Sequence, residues 1–176
     1  MKSAELIEQA PLDKKGQFVT VKQKLAAGFS YEESLLYVRA ETVELWNALN
    51  ISDRNGSNLS VDGPPGTGKS TEVWAWVLWK AKKDMITVTW IHMTKRTINK
   101  VVINGEENLI TTGYICNVSD VVNSEGSLLV VDGVTADQQV EVSRACFNYC
   151  MMDEKERRFV LVSSSSAGTA LQEDEE

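Results

Sequence analysis

The sequence has few residues that could form a metal site or a disulfide framework. It contains one histidine, His92, and three cysteines (Cys116, Cys146 and Cys150), an odd number without a CxxC spacing. A structural zinc site takes four such ligands, usually in closely spaced pairs, so we expect no zinc site. We also expect the thiols to be reduced, as they are in intracellular proteins.

Long hydrophobic runs and an excess of positive charge are also missing. No apolar run approaches the roughly 18 residues that a membrane span needs. The first thirty residues are polar and lack the apolar core of a signal peptide. We therefore expect no membrane partner, no signal peptide in this chain and an intracellular location. The net charge is −7, with 18 Lys and Arg against 25 Asp and Glu, so the composition does not indicate direct nucleic-acid binding.

The chain does contain short apolar runs that alternate with helical patterns. Strands are predicted at 59–61, 85–93, 128–131 and 159–163, and helices at 71–83 and 141–150. Strands that are continuously apolar and alternate with helices predict an α/β fold, with a parallel sheet covered by helices on both faces. Two more short runs on either side of the turn GEEN predict a hairpin inserted before the strand at 128.

The residues before this region predict a different, mainly helical segment. Apolar residues recur at three- and four-residue steps over 31–49, and Ser30 followed by Glu33 is typical of a capping box at a helix start. Residues 17–21 could form a short strand or no regular structure. We therefore divide the chain into an N-terminal, mainly helical segment (1–57), an α/β domain (58–166) and an acidic tail (167–176).

The strongest motif is GPPGTGKS at residues 63–70, which matches G-x-x-x-x-G-K-[ST] at every fixed position. Its glycines permit positive φ angles, so that backbone N–H groups can close around an anion. The helix that begins near Lys69 directs its positive end at the same anion. The motif follows an apolar strand and opens a helix, as this mechanism requires. It predicts a site for the phosphates of a nucleoside triphosphate.

Each residue of the loop has an expected role. Lys69 is expected to contact the β- and γ-phosphates, Ser70 to bind Mg²⁺, and Thr71 to reach the α-phosphate. ATP is favoured over GTP because the sequence at 99–102, NKVV, does not complete the guanine-binding pattern N-K-x-D. The predicted cofactor-binding residues are Gly63, Pro64, Pro65, Gly66, Thr67, Gly68, Lys69, Ser70 and Thr71.

A second acidic element follows about sixty residues later, where the apolar run 128–131 ends at Asp132. A carboxylate at the carboxyl end of a buried strand lies at the edge where open α/β sheets bind ligands. A triphosphate site also needs an acid for magnesium. We therefore predict Ser70 and Asp132 as Mg²⁺ ligands, and Lys69 and Asp132 as the catalytic residues. Taken alone, a hydrophobic run that ends in Asp-Gly more often marks a strand followed by a turn.

The sequence leaves the step from binding to hydrolysis open. Many ATPases of this type follow the aspartate with a glutamate, whereas Gly133 stands here. Asp137 and Glu141 could replace that glutamate or could simply be acids at a helix start. Ser163 or Ser164 could sense the γ-phosphate or belong to a loop.

The sequence also leaves two interpretations open for the remaining candidate residues and for the overall function. His92 could lie near the nucleotide or be a satisfied core or surface group. Three tryptophans at 74, 76 and 79 are expected to pack in the core rather than to stack on bases. The chain is thus expected to be an ATPase that drives or gates an unknown protein partner, or a nucleotide-dependent binding module without turnover.

Several segments together resemble one known family. The loop GPPGTGKS, the following VWAW, the strand TVTWIH, the strand LLVVDGVT and the late RRFVLVSS resemble the P-loop NTPase module of Crinkler-type effectors, which are related to retrotransposon hot spot proteins. The similarity runs from about Tyr31 to Ser166. The resemblance implies an ATPase-type module that is joined, in such effectors, to a separate toxin domain.

The resemblance also carries expectations about individual residues and about location. It implies that Lys69, Ser70 and Asp132 are nucleotide and magnesium residues, and it would allow secretion into a host cell and a nuclear site. The chain departs from the family pattern because no recognisable header segment precedes the module and no effector domain follows it. We therefore expect a truncated or fragmentary member.

Overall fold

The structure is a computed structural model that describes residues 14–22, 27–152 and 156–164. The helices are α1 (Ala40–Arg54), α2 (Lys69–Asp84) and α3 (Gln139–Met151), and a short 3-10 helix covers Val118–Asn123. The strands are β1 (Phe18–Val21), β2 (Ser34–Tyr37), β3 (Leu59–Val61), β4 (Thr87–Met93), β5 (Ile98–Asn104), β6 (Leu109–Ile115), β7 (Leu128–Val134) and β8 (Arg158–Ser163). The acidic tail predicted at 167–176 lies outside the described residues.

Six strands form one mixed sheet in the order β3-β8-β7-β4-β5-β6. The first four pair in parallel, whereas β5 and β6 are antiparallel to their neighbours. The predicted α/β class is confirmed, and so is the hairpin predicted around GEEN. The sheet is mixed because β4 and β5 are joined by only residues 94–97, and so short a connection can join only antiparallel strands.

Both faces of the sheet are covered, as the continuous apolar strands predicted. Along β7, Leu128 and Val130 pack into a core with α1 and α2. Leu129 and Val131 point the other way and pack into a core with α3, because successive side chains of a strand face opposite sides. The tryptophans of α2 are buried in the first core, as expected. Within the described part of the chain, no helix is both long enough and apolar enough to cross a membrane.

The helix predicted over 31–49 is wrong in its first part. Residues Ser34–Tyr37 form strand β2, which pairs antiparallel with β1, and α1 begins only at Ala40. The capping box predicted at Ser30 is therefore wrong as well. Leu35, Leu36 and Tyr37 are consecutive, and so short an apolar run does not distinguish a strand from a helix. Pairing with β1 decides between the two. The N-terminal segment thus contains a two-stranded antiparallel sheet as well as a helix.

The strand order determines which side chains can meet. Strand β3 leads into the glycine-rich loop and β7 carries Asp132, with β8 between them. Because β3, β8, β7 and β4 are parallel, their carboxyl ends lie at one edge of the sheet. Asp62, Ser163, Asp132 and His92 lie at or next to these four ends.

Candidate functional site

The loop at 63–68 has the backbone conformation that its glycines predict. Gly63, Gly66 and Gly68 have φ angles of 155°, 78° and 92°. Gly68 is the N-cap of α2 in the left-handed region, so the helix begins at Lys69, as predicted. The first N–H groups of an α-helix have no partner within the helix. Those of α2 are therefore available at the end of this loop.

The side chain of Lys69 folds back over the loop that precedes it. Its ammonium donates to the carbonyl oxygens of Gly63 at 2.8 Å and Pro64 at 2.7 Å, and to Oγ1 of Thr67 at 3.2 Å. Thr67 in turn donates to the Pro64 carbonyl at 3.0 Å. These bonds close the loop and hold one positive charge against it, within reach of an anion bound there.

The structure brings Ser70 and Asp132, which the sequence analysis predicts as Mg²⁺ ligands, into direct contact. The Ser70 hydroxyl donates to Oδ1 of Asp132 at 2.7 Å, across 62 residues of chain. Asp132 is 1% exposed. Burial of a carboxylate is costly unless it is hydrogen-bonded or paired, so both of its oxygens are expected to have partners.

The second partner is His92, which the sequence did not assign to the site. Strands β4 and β7 place His92 directly beside Asp132 in register, and Nδ1 of His92 lies 2.7 Å from Oδ2 of Asp132. A carboxylate can only accept, so Nδ1 carries the hydrogen in this contact. The ring of Phe29 lies 5.7 Å from the imidazole and helps to fix it. The available signal was a polar residue near the end of a strand adjacent to β7, which becomes informative only when the strand order is known.

Gly133, the residue that stands where a glutamate is usual, is required by the backbone. Its φ is +80°, and the pairing of β7 with β8 is irregular between Asp132 and Val134. A Cβ atom at this position would collide with the main-chain carbonyl oxygen of Met93. The position after Asp132 therefore favours glycine strongly over any residue with a side chain.

The two downstream acids do not replace the glutamate in this structure. Asp137 is exposed and accepts a hydrogen bond from Thr135 Oγ1 at 2.5 Å. This bond lowers the pKa of Asp137 below its usual value. Glu141 is exposed in the first turn of α3. Neither residue lines the cavity described below, so their placement fits acids at a helix start.

One further acid, Asp62, follows β3 and contacts the end of β8. The sequence analysis did not select it. The Ser163 hydroxyl donates to Oδ1 of Asp62 in a short hydrogen bond. The other carboxylate oxygen accepts from the Ser60 hydroxyl at 2.9 Å. Asp62 stands immediately before the loop, and it orients the hydroxyl of a residue that lines the cavity.

A cavity of about 370 Å³ lies between the loop and the sheet edge. Its volume is within the range of small-ligand pockets, about 300–1,000 Å³. Seven of the nine predicted cofactor-binding residues, 65–71, line it together with Asp132, Gly133 and residues 162–164. Gly63 and Pro64 are not among the lining residues, but their carbonyls hold Lys69.

The residues present fit a magnesium ion that is bound together with phosphates. In the described ranges, no group of three or more His, Cys, Asp or Glu side chains could hold a metal by itself. Magnesium at phosphate-transfer sites usually takes one or two protein ligands and completes its shell with water and phosphate oxygens. The adjacent Ser70 hydroxyl and Asp132 carboxylate are a donor set of this kind, and both line the cavity.

Comparison of the sequence with models of known protein families and with curated proteins finds no match. The resemblance to Crinkler-type effectors therefore stays a prediction. Any assignment of function rests on the loop, the cavity and the side chains around Asp132.

Proposed function

We propose that the chain is a P-loop nucleotide-binding module that holds ATP with Mg²⁺ between the loop 63–70 and the end of β7. The observation that carries the proposal is the 2.7 Å contact between Ser70 and Asp132. It joins the last residue of the loop motif to an acid at the end of a different parallel strand, next to a cavity of suitable size. A magnesium–triphosphate site requires this combination.

Three features would act on the phosphates. The loop and the first turn of α2 present backbone N–H groups and the positive end of the helix. Lys69 would leave the carbonyls of Gly63 and Pro64 to bind phosphate oxygens as a point charge. Ser70 and Asp132 would hold Mg²⁺, which when bound neutralises phosphate charge.

A nucleotide-dependent interaction module that does not hydrolyse ATP is the second candidate. The conformation of Gly133 favours it, because the backbone disfavours a glutamate after Asp132. The exposed positions of Asp137 and Glu141 outside the cavity lining support the same conclusion. In either case, the proposed module acts on an unknown protein partner, and the resemblance adds the proposal that it is part of a Crinkler-like effector.

The binding proposal is tested by measuring ATP affinity for the intact chain, Lys69→Ala and Asp132→Asn, with Mg²⁺ and with a chelator. Lys69→Ala is expected to weaken binding about 10- to 100-fold in both conditions, because a hydrogen bond to a charged group contributes about 1.5–3 kcal/mol. Asp132→Asn is expected to lose the gain in affinity that Mg²⁺ provides and to keep the metal-independent part. Lys83→Ala is the matched control, because Lys83 lies in the last turn of the same helix.

Phosphate release from the same samples separates the two candidates. ATP binding without phosphate release from the intact chain would leave only the interaction module. If the intact chain binds no ATP in either condition, the proposed function is wrong. If Lys69→Ala and Lys83→Ala weaken ATP binding equally, the affinity for ATP cannot be assigned to the loop.

A further inference from the structure

A buried carboxylate lies directly behind the phosphate loop and has no role in the site described so far. Glu72 is in the first turn of α2, two residues after Ser70, and is 4% exposed. Its Oε1 accepts a hydrogen bond from the Thr42 hydroxyl at 2.7 Å and another from Nη2 of Arg39 at 3.0 Å. Glu72 therefore ties α2 to the start of α1.

The same guanidinium nitrogen also reaches the loop. Nη2 of Arg39 donates to the main-chain carbonyl of Thr67 at 3.0 Å. No peptide bond in the described residues is cis, and in a trans peptide the C=O and the following N–H point in opposite directions. The N–H of Gly68 therefore points away from Arg39, which is not among the residues that line the cavity.

Arg39 stands at the start of α1, and contacts with α2 fix the position of that helix. The indole N–H of Trp46 donates to the carbonyl of Glu72 at 2.8 Å, and Trp46 and Thr42 are both fully buried. The backbone N–H of Arg39 donates to the Thr42 hydroxyl at 3.3 Å. Thr42 thus connects the backbone of Arg39 to the carboxylate that binds its side chain.

We propose that Arg39, anchored by Glu72, is a positioning residue that fixes the Thr67–Gly68 peptide so that its N–H faces a bound phosphate. The inference rests on the proposed function, because it names what orients the same loop. Arg39 holds the Thr67 carbonyl on one side of the loop, and Glu72 keeps the guanidinium there. The phosphate contacts remain those of the loop itself.

Positioning by Glu72 and simple charge attraction predict opposite changes in ATP affinity for the substitution Glu72→Gln. Glu72→Gln removes a negative charge from the first turn of α2, close to the phosphates. If only net charge mattered, this change would strengthen ATP binding. If Glu72 anchors Arg39, the neutral amide holds the guanidinium less well, the Thr67 carbonyl is released, and binding weakens.

The experiment measures the Kd for ATP with Mg²⁺ in the intact chain, Glu72→Gln, Arg39→Ala and Arg54→Ala. We expect Arg39→Ala to weaken binding about tenfold and Glu72→Gln to weaken it about threefold or more. Arg54→Ala is the matched control, because it removes the same charge from the other end of α1. Its effect is expected to be within about twofold.

Backbone NMR order parameters of Thr67 and Gly68 in the chain without nucleotide give a second measurement that does not depend on ATP. Lower order parameters in Arg39→Ala and Glu72→Gln, but not in Arg54→Ala, are the expected result. Unchanged or tighter ATP binding by Glu72→Gln would overturn the proposal, and so would equal effects of Arg39→Ala and Arg54→Ala. If the intact chain binds no ATP, the proposed function fails, and the order parameters of Thr67 and Gly68 alone then decide whether Arg39 positions the loop.

Discussion

Replacement of Gly133 by alanine should destabilise the protein severely for so small a change. The residue has a φ of +80°, and an added Cβ would collide with the Met93 carbonyl. A left-handed conformation costs a residue with a side chain about 1–2 kcal/mol. The carbonyl belongs to β4, which pairs with β7 and is held between two cores, so relief of the overlap is expected to cost a further ~1–3 kcal/mol. We expect a loss of about 2–5 kcal/mol in the free energy of unfolding.

Urea unfolding of the two variants Gly133→Ala and Gly113→Ala measures this difference. Gly113 lies on the exposed strand β6, has no left-handed φ, and an added Cβ there would meet no atom within 4 Å. Alanine at Gly113 should therefore leave the protein equally stable or stabilise it by up to about 1 kcal/mol. If the two variants unfold at the same urea concentration, the backbone argument for Gly133 is wrong.

A glutamate introduced at position 133 tests directly whether this position can carry the acid that is missing here. Gly133→Glu supplies the acid that ATPases commonly carry after the aspartate, but here the backbone must shift to accept any side chain. Because Asp132 is the preceding residue and holds Ser70 and His92, that shift should disturb the site. We expect Gly133→Glu to be destabilised at least as much as Gly133→Ala and to release phosphate no faster than the intact chain. Faster release with unchanged stability would refute the reasoning.

Three further predictions concern His92 and the thiols. His92→Ala removes the partner of one oxygen of Asp132 and should weaken the Mg²⁺-dependent part of ATP binding about tenfold, while His92→Asn should recover part of it. A Mg²⁺ titration at fixed ATP measures this, and an unchanged Mg²⁺ dependence would contradict it. Burial, together with the nearby thiol of Cys150, raises the pKa of Cys146 from 9.0 to about 12. The contribution of the buried, neutral Cys146 thiol to the free energy of unfolding is therefore complete below pH 9 and should be lost as the pH rises towards 12. Urea unfolding measured at a series of alkaline pH values would show this loss. At pH 8 a thiol reagent should label the exposed Cys116 quickly and Cys146 only as the chain unfolds; equal labelling rates in the folded chain would be inconsistent with this pKa.

Much of the fold could be predicted because its signals are local. The glycine spacing of the loop, the start of α2 near Lys69 and the hairpin around GEEN follow from φ preferences and short-range periodicity, and the structure has each of them. The strand at 34–37 was predicted as helix because a run of three consecutive apolar residues is too short to show either period. Pairing with β1 selects the strand, and a pattern over a few residues carries no information about a partner that lies elsewhere in the chain.

The sequence by itself determined the glycine-rich loop, the helix that follows it and the aspartate at the end of an apolar strand, because each depends on neighbouring residues. Only the tertiary structure decided what surrounds them. The contacts of Arg39 with Thr67, His92 with Asp132 and Ser70 with Asp132 join residues 28, 40 and 62 positions apart. They exist because β8 and β4 flank β7 and because α1 docks on α2. The pairing of β4 with β7 also puts the Met93 carbonyl against Gly133, so strand order, together with the positive φ at this position, disfavours a glutamate there.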